Sequence, residues 1–236
     1  LTPSFPRPAK INAHTRVMYA GLAKGLNDAA GDFGIRTVIL SSEGDHFTAG
    51  NDIVDFMDNP PTSDSSEVAQ FLAALLNFPK PLIAAVKGNA VGVGTTMLLH
   101  CDVVVASPSA TFSMPFASLG LVPEAGSSFL FPALVGYQRA AKIFFTGESF
   151  GADTALEMGL IAEINSDALA SATKIAQHIA EQPPQAIINT KALLKARNHE
   201  SVAAVMKAEF EIFAMALQSD EAMEAFMKFM AKKGKS

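Results

Sequence analysis

The alternation of apolar and polar positions divides the chain into two unlike halves. Val17, Leu22, Leu26 and Ala29/Ala30 lie on one stripe, with Lys24 and Asp28 opposite, which predicts a helix over 14–30. Residues 37–41 form a short apolar, β-branched run and predict a buried strand, followed by a turn at 42–45. Residues 58–66, rich in Pro, Ser and Asp, predict a mobile surface loop. A helix follows over 67–77, ending before Pro79. Residues 81–86 predict the next strand, with Pro81 acceptable only near its start. A glycine-spaced turn from Gly88 to Gly94 leads into an apolar helix at about 94–100, and 102–106 and 110–112 read as strands. This half is an α/β pattern with a mostly parallel sheet. After Gly126 the pattern is nearly all helical, with helices predicted at 127–134, 137–145, 151–158, 168–181, 184–196, 201–217 and 219–231. The late helices carry Phe210, Phe213, Met215, Leu217, Met223, Phe226, Phe229 and Met230. Core packing and packing on a neighbouring chain both account for them.

Composition narrows the function classes. The chain has 236 residues, 49% hydrophobic and 17% charged, which fits a globular body and not a disordered one. Eighteen Lys plus Arg against 23 Asp plus Glu give a formal charge of −5. No basic excess is present to neutralise a phosphate backbone, so no nucleic-acid partner is expected. The single cysteine, Cys101, excludes an internal disulfide framework and a cysteine-cluster metal site, and fits a reducing compartment. Bacterial cytoplasm, peroxisome and mitochondrion all satisfy that. No apolar run reaches the length of a membrane-spanning helix. The start lacks both an initiator Met and a basic-then-apolar segment, so a processed product or fragment is expected, with no signal peptide. The lysines of 232–236 read as a solvated helix end, suited to the negative pole of the helix.

Most familiar catalytic signatures are missing. There is no phosphate loop of the GxxxxGK[ST] type and no GxSxG elbow. The five histidines are far apart, and none forms an HExxH pair, so no metal site is expected. Gly88, Gly92 and Gly94 do not have dinucleotide spacing. What stands out is a pair of glycine turns, each after a strand: Phe47 to Ile53 and Lys87 to Gly94. They read either as tight turns or as two backbone N–H groups clamping an oxyanion. A third feature is Glu124, among Leu121, Val122 and Ala125. It reads either as a helix-start glutamate or as a carboxyl whose apolar setting raises its pKa toward that of a useful base.

Taken in order, these segments resemble the crotonase superfamily, the enoyl-CoA hydratase/isomerase family. The resemblance covers nearly the whole chain. It begins at Arg7-Pro8-Ala9-Lys10-Ile11-Asn12-Ala13, similar to an RPxxxNA segment. It runs through Phe47-Thr48-Ala49-Gly50-Asn51-Asp52-Ile53 and the segment from Ala84 to Gly94, closed by Cys101-Asp102. It ends in the helix from Ser219 to Phe226. The implied fold is an α/β spiral of ββα units over 1–183, its N-terminal hairpin largely missing, and a helical region over 184–236. That region would make a trimer contact or cover the pocket. The resemblance makes the backbone N–H groups of Asn51 and Val93 the oxyanion hole for an acyl-CoA thioester. It places coenzyme A near Lys10, Ile11, Ala49, Asn51 and Ile53, with Phe229 and Lys232 reaching a neighbour's CoA site. It implies a homotrimer or hexamer, and no cofactor beyond the coenzyme A of the substrate.

The chain departs from the family's hydratases. Their two catalytic glutamates fall at positions occupied here by Thr96 and Phe116. The glutamate instead stands in Pro123-Glu124-Ala125-Gly126-Ser127-Ser128, similar to the GxxPEGxSS pattern of peroxisomal-type Δ3,Δ2-enoyl-CoA isomerases, with alanine at one small position. The resemblance therefore implies an isomerase with Glu124 as its single base. Its alternatives are another crotonase reaction (hydratase, hydrolase or decarboxylase), with Asp52, Thr95, Thr96 and Ser118 as polar candidates, or a non-catalytic acyl-CoA binder.

Overall fold

The computed structural model describes residues 1–61, 63 and 65–233, the side chains of 232 and 233 excepted. Positions 62 and 64 of the predicted loop, and 234–236 of the lysine-rich tail, lie outside the described residues. The strands are β1 (Ser4–Phe5), β2 (Val38–Ser42), β3 (Leu82–Val86), β4 (Asn89–Val91), β5 (Val103–Ala106), β6 (Thr111–Ser113), β7 (Phe150–Gly151) and β8 (Glu163–Ile164). The helices are α1 (Arg16–Gly31), α2 (Ile53–Asp58), α3 (Glu67–Asn77), α4 (Val93–Thr96), α5 (Ser127–Val135), α6 (Tyr137–Thr146), α7 (Ala152–Glu157), α8 (Ala168–Ala180), α9 (Pro184–Ala196), α10 (His199–Leu217) and α11 (Asp220–Lys233).

Two sheets result. A parallel sheet has the order β1-β2-β3-β5-β8, and a smaller one has the order β4-β6-β7. The chain steps from the large sheet to the small one twice, from β3 to β4 and from β5 to β6, and each small-sheet strand is followed by helix. That strand–strand–helix repeat is the spiral. β2 and β3 are buried along their whole length, because helices cover both faces of the parallel sheet. On one side Ala168, Ala172 and Ala176 of α8 meet Ile39, Ile83, Ala85 and Val105, small residues letting the helix lie close. On the other, α1 and α3 contribute Tyr19, Leu26, Phe71 and Leu75 to the main core.

Local chemistry explains several boundaries. Thr15, Ser66 and Asp167 cap α1, α3 and α8, each side chain accepting from the N–H three residues on. The apolar stripe of α1 differs from the sequence reading. Val17 is exposed, and the buried positions are Tyr19, Ala23, Leu26 and Ala29. The helix predicted at 94–100 is a single turn, α4, continued by a 3-10 turn from Met97 to His100. The short strands β7 and β8 interrupt the helical half. Each is two residues long, too short for a periodicity to show. Of the late apolar residues, Phe213 and Phe226 are buried, whereas Met215, Met223 and Met230 remain exposed. No helix among the described residues is long and apolar enough to cross a membrane.

α9 is tied to the sheet by one buried cation. Lys191 Nζ donates to Asp102 Oδ2 at 2.6 Å and to the Lys80 carbonyl at 2.7 Å, and stands 5.4 Å over the Phe78 ring. Burial pulls its pKa below the ordinary lysine value, against the pull of Asp102. Lys191→Met should lower the unfolding free energy by about 3–5 kcal/mol, because it strips a buried pair of one partner. Urea unfolding at fixed protein concentration checks this. A loss under about 0.5 kcal/mol, the size of a surface change, would show that the pair does not anchor the helix.

Candidate active site

The two glycine turns are laid against each other. The N–H of Thr48 donates to the Asn89 carbonyl at 2.9 Å, and the N–H of Val91 returns a bond to the Thr48 carbonyl at 3.0 Å. Gly94 passes so near that a Cβ there would sit 2.3 Å from the Thr48 methyl. A Cβ on Gly50, whose φ is +84°, would sit 2.8 Å from the Val91 carbonyl oxygen. Only glycine permits this spacing, so the turns interlock.

The first turn also pairs with the segment before α1. The His14 N–H donates to the Gly50 carbonyl and the Asp52 N–H to the His14 carbonyl, both at 2.8 Å. In such a parallel bridge the N–H of the intervening residue, Asn51, faces away from the pairing. Val93 opens α4 after Gly92, so its N–H is one of the helix's first amides, which have no acceptor within the helix.

The RPxxxNA segment is scaffold for this arrangement. Arg7 Nη1 donates to the Ala13 carbonyl at 2.7 Å and to Asp52 Oδ2 at 3.0 Å. Asn12 Nδ2 donates to the carbonyls of Glu43 at 2.9 Å and His46 at 2.8 Å. Thr48 Oγ1 donates to the Asn12 carbonyl at 2.8 Å. Asp52 is thereby engaged by Arg7. Thr95 Oγ1 donates to the Ala90 carbonyl and Ser118 Oγ to that of Pro115, so these side chains too hold backbone.

Glu124 is 8% exposed, and its Oε1 accepts a hydrogen bond of 2.8 Å from Thr96 Oγ1. Thr96 lies one helical turn beyond Val93. The position where a hydratase would carry a glutamate therefore holds the carboxylate of another segment, 28 residues further on. Burial pushes the Glu124 carboxyl up to about 7, with the Thr96 bond opposing and the charge of Glu209 adding. Phe116, at the other hydratase position, is buried, and its carbonyl accepts from the Leu121 N–H at 2.9 Å.

Three residues of the site were not legible as such in the sequence. Tyr19, fully buried on α1, donates its hydroxyl to Asn51 Oδ1. Burial and then the nearby Glu124 charge raise its pKa. His100 is buried, and desolvation holds it near 4 and neutral, so its Nε2–H donates to the Ala125 carbonyl at 2.7 Å. Glu209 of α10 accepts from the N–H groups of Gly126 and Ser128. The spacing 19, 23, 26 could have flagged Tyr19 as facing the core. No local signal marks the other two.

Of the residues assigned to coenzyme A, Lys10, Ile11 and Ala49 come together, the Ala49 N–H donating to the Ile11 carbonyl at 2.8 Å. Lys10 and Ile11 are exposed there, and Ile53 begins α2, half-buried. Phe229 is half-buried on α11, which packs at Ala222 against Gly120. Lys232 lies on the same helix, its side chain outside the described ones. A cavity of about 250 Å³ opens beside Tyr19, walled by His14, Asp55, Phe56, Ser66 and Val68 among others. Its walls come from His14 and the start of α1, from α2, from the loop after it and from the start of α3. The late helices, expected to make a trimer contact or cover the pocket, do not line this cavity among the described residues.

A family model described as enoyl-CoA hydratase/isomerase matches residues 4–235. The chain belongs to the enoyl-CoA hydratase/isomerase family. A solved enoyl-CoA hydratase/isomerase from Pseudoalteromonas atlantica superposes with a TM-score of 0.93 at 42% identity, covering 98% of this chain and 94% of that one. Human enoyl-CoA delta isomerase 2 is 34% identical over 241 residues, 98% of this chain and 61% of that protein. The chain thus spans about three fifths of the length of that relative. The 2,3-dehydroadipyl-CoA hydratase of Escherichia coli is 31% identical over 230 residues, 96% of this chain and 90% of that protein.

The raised carboxyl has a stability consequence. Folded protein holds the Glu124 proton up to about pH 7, while the unfolded chain releases it near 4.5. Between those values the folded state binds more protons, so this group's contribution to stability falls as pH rises and is lowest above 7. Glu124→Gln removes the titration. The variant should match wild type below pH 4.5 and exceed it by about 3 kcal/mol at pH 8. Urea unfolding of both proteins between pH 4 and 8 measures this. A difference that does not grow with pH would show that the buried carboxyl is not strained by ionisation.

Proposed function

We propose that the protein is a Δ3,Δ2-enoyl-CoA isomerase, moving the double bond of a 3-enoyl-CoA to the 2-trans position. The observation that carries this reading is one buried carboxyl, Glu124, held near neutrality and bonded to Thr96 where a hydratase would have its own glutamate. Hydration needs two groups to position and activate a water, and Thr96 and Phe116 offer no second base. Isomerisation needs one. A carboxylate takes a proton from C2, the C2–H electrons enter a dienolate across the thioester, and the same carboxyl returns the proton at C4. Electrons shift so that the C3–C4 double bond becomes C2–C3. A pKa near 7 lets Glu124 accept and then surrender the proton at neutral pH.

The N–H groups of Asn51 and Val93 would hold the thioester oxygen as its charge develops. Their interlocked turns fix those donors before reaction, which is where such stabilisation is most effective. Coenzyme A would lie along Lys10, Ile11, Ala49 and Ile53, with Phe229 and Lys232 reaching the CoA of a neighbouring subunit. The reaction is proton transfer alone and calls on no cofactor beyond the coenzyme A of the substrate. The names of the relatives support acyl-CoA chemistry of this kind, and they include hydratases as well as isomerases. The test is an assay on 3-cis-, 3-trans- and 2-trans-enoyl-CoA. Isomerisation with little hydration is expected, and Glu124→Gln should cut kcat about 10²–10⁴-fold with affinity for an unreactive acyl-CoA preserved. Rapid hydration of the 2-enoyl ester without isomerisation would defeat the reading.

The exposed Leu193, Leu194, Met215, Met223 and Met227 of the last three helices fit assembly as a homotrimer, or a hexamer of two trimers. Light scattering at several concentrations should give three or six times 24.9 kDa. A mass near 24.9 kDa throughout would refute it.

A further inference from the structure

Glu124 lies just ahead of α5, whose first amides form the positive end of that helix. Left open, that pole would favour a nearby carboxylate in its charged form and weaken it as a base. It is not open. The Gly126 N–H donates to Glu209 Oε2 at 2.6 Å, and the Ser128 N–H donates to Glu209 Oε1 at 2.8 Å. Glu209 arrives from α10, more than 80 residues further along, and is 7% exposed. Each of its oxygens accepts one N–H, and these bonds favour the ionised carboxylate, against burial, which raises the pKa above the ordinary glutamate value. Among the described residues no cation pairs with it. The Ser128 hydroxyl is its other polar neighbour.

The turn it grips needs holding. Ala125 has φ of +61° and Gly126 of +71°, and the left-handed region costs a residue with a Cβ roughly 1–2 kcal/mol. His100 holds the Ala125 carbonyl on one side, and Glu209 holds the amides that follow on the other.

We propose that Glu209 is a positioning residue: its carboxylate fills the positive end of α5, fixes the turn that carries Glu124, and withholds that helix pole from the base. Among the described residues it makes no hydrogen bond to Glu124, and it acts through the backbone of 126 and 128. The groups around Glu124 agree. Thr96 donates to it and favours the ionised form, Tyr19 lies within reach of its charge, and His100 behind Ala125 is neutral. Glu209 is the negative charge that acts in the opposite sense to Thr96.

The kinetic part of this proposal rests on Glu124 being the base of the reaction, so the test also has a readout without turnover. The Glu124 carboxyl is titrated by carbon NMR in protein labelled at glutamate, its signal assigned by its loss in Glu124→Gln. Wild type should titrate near pH 7, and Glu209→Gln should titrate at lower pH, since glutamine removes the charge and sets its NH₂ against one of the two amides. An unchanged midpoint overturns the proposal. In kinetics, Glu209→Gln should lower the plateau kcat above pH 8 about 10–100-fold, with KM within about two-fold, as for a displaced base. Glu209→Asp should recover part of the loss. A wild-type plateau in Glu209→Gln overturns the positioning role. If Glu209→Gln does not fold, Glu209→Ala, which also removes the charge, carries the titration, and an unchanged midpoint there overturns the proposal equally. Wild-type protein inactive on every enoyl-CoA would defeat the isomerase reading and leave the NMR result to decide the role of Glu209.

Discussion

The hydrogen bond from Thr96 to Glu124 is the point on which the site depends. It joins α4, the helix that opens with Val93, to the segment that carries the buried carboxyl. Without it, the carboxyl would be buried with one fewer partner, and burying an unpartnered charge costs several kcal/mol. With it, the buried Glu124 is bonded to the residue one helical turn beyond Val93. A single donor to one oxygen is a compromise. It fixes the geometry but opposes burial too weakly to restore an ordinary carboxylate.

The rest of the molecule supplies what that bond requires. The parallel sheet sets β3 and β5 side by side, and the crossings from β3 to β4 and from β5 to β6 carry the chain to the small sheet where the turns meet. Gly50 and Gly94 let those turns approach to a distance no side chain allows. Arg7, Asn12 and Thr48 then fasten the first turn to the segment before α1 through backbone carbonyls and Asp52. From the far end of the chain, α10 sends Glu209 back to the turn after Glu124. A site of few reacting groups therefore draws on nearly every layer of the fold.

Stability and chemistry pull apart at Glu124. Water kept away from a carboxyl raises its proton affinity into a useful range, and the folded state bears that cost whenever the group ionises. Ala125 adds a smaller strain of the same kind, since a residue with a Cβ adopts the left-handed conformation at the next position. Both sit where His100 and Glu209 hold the backbone from two sides, which is how a strained segment persists.

The sequence by itself determined the α/β first half, the helical second half and most helix limits, because each rests on local periodicity and on Pro, Gly and capping residues near the ends. It also marked the glycine turns and Glu124, since the order of the motifs along the chain carries the resemblance to the family. It misread the face of α1, choosing Val17 over Tyr19, because several stripes of similar hydrophobicity coexist on a helix rich in alanine. It overlooked β7 and β8, whose two residues each are strands only through their neighbours. The partners of Glu124 were decided by tertiary structure alone. Thr96, Tyr19, His100 and Glu209 lie on four separate segments, and no spacing along the chain encodes which side chains will share a desolvated pocket. Burial and hydrogen bonding across long separations set the proton affinity of Glu124, and those exist only once the sheets and helices have packed.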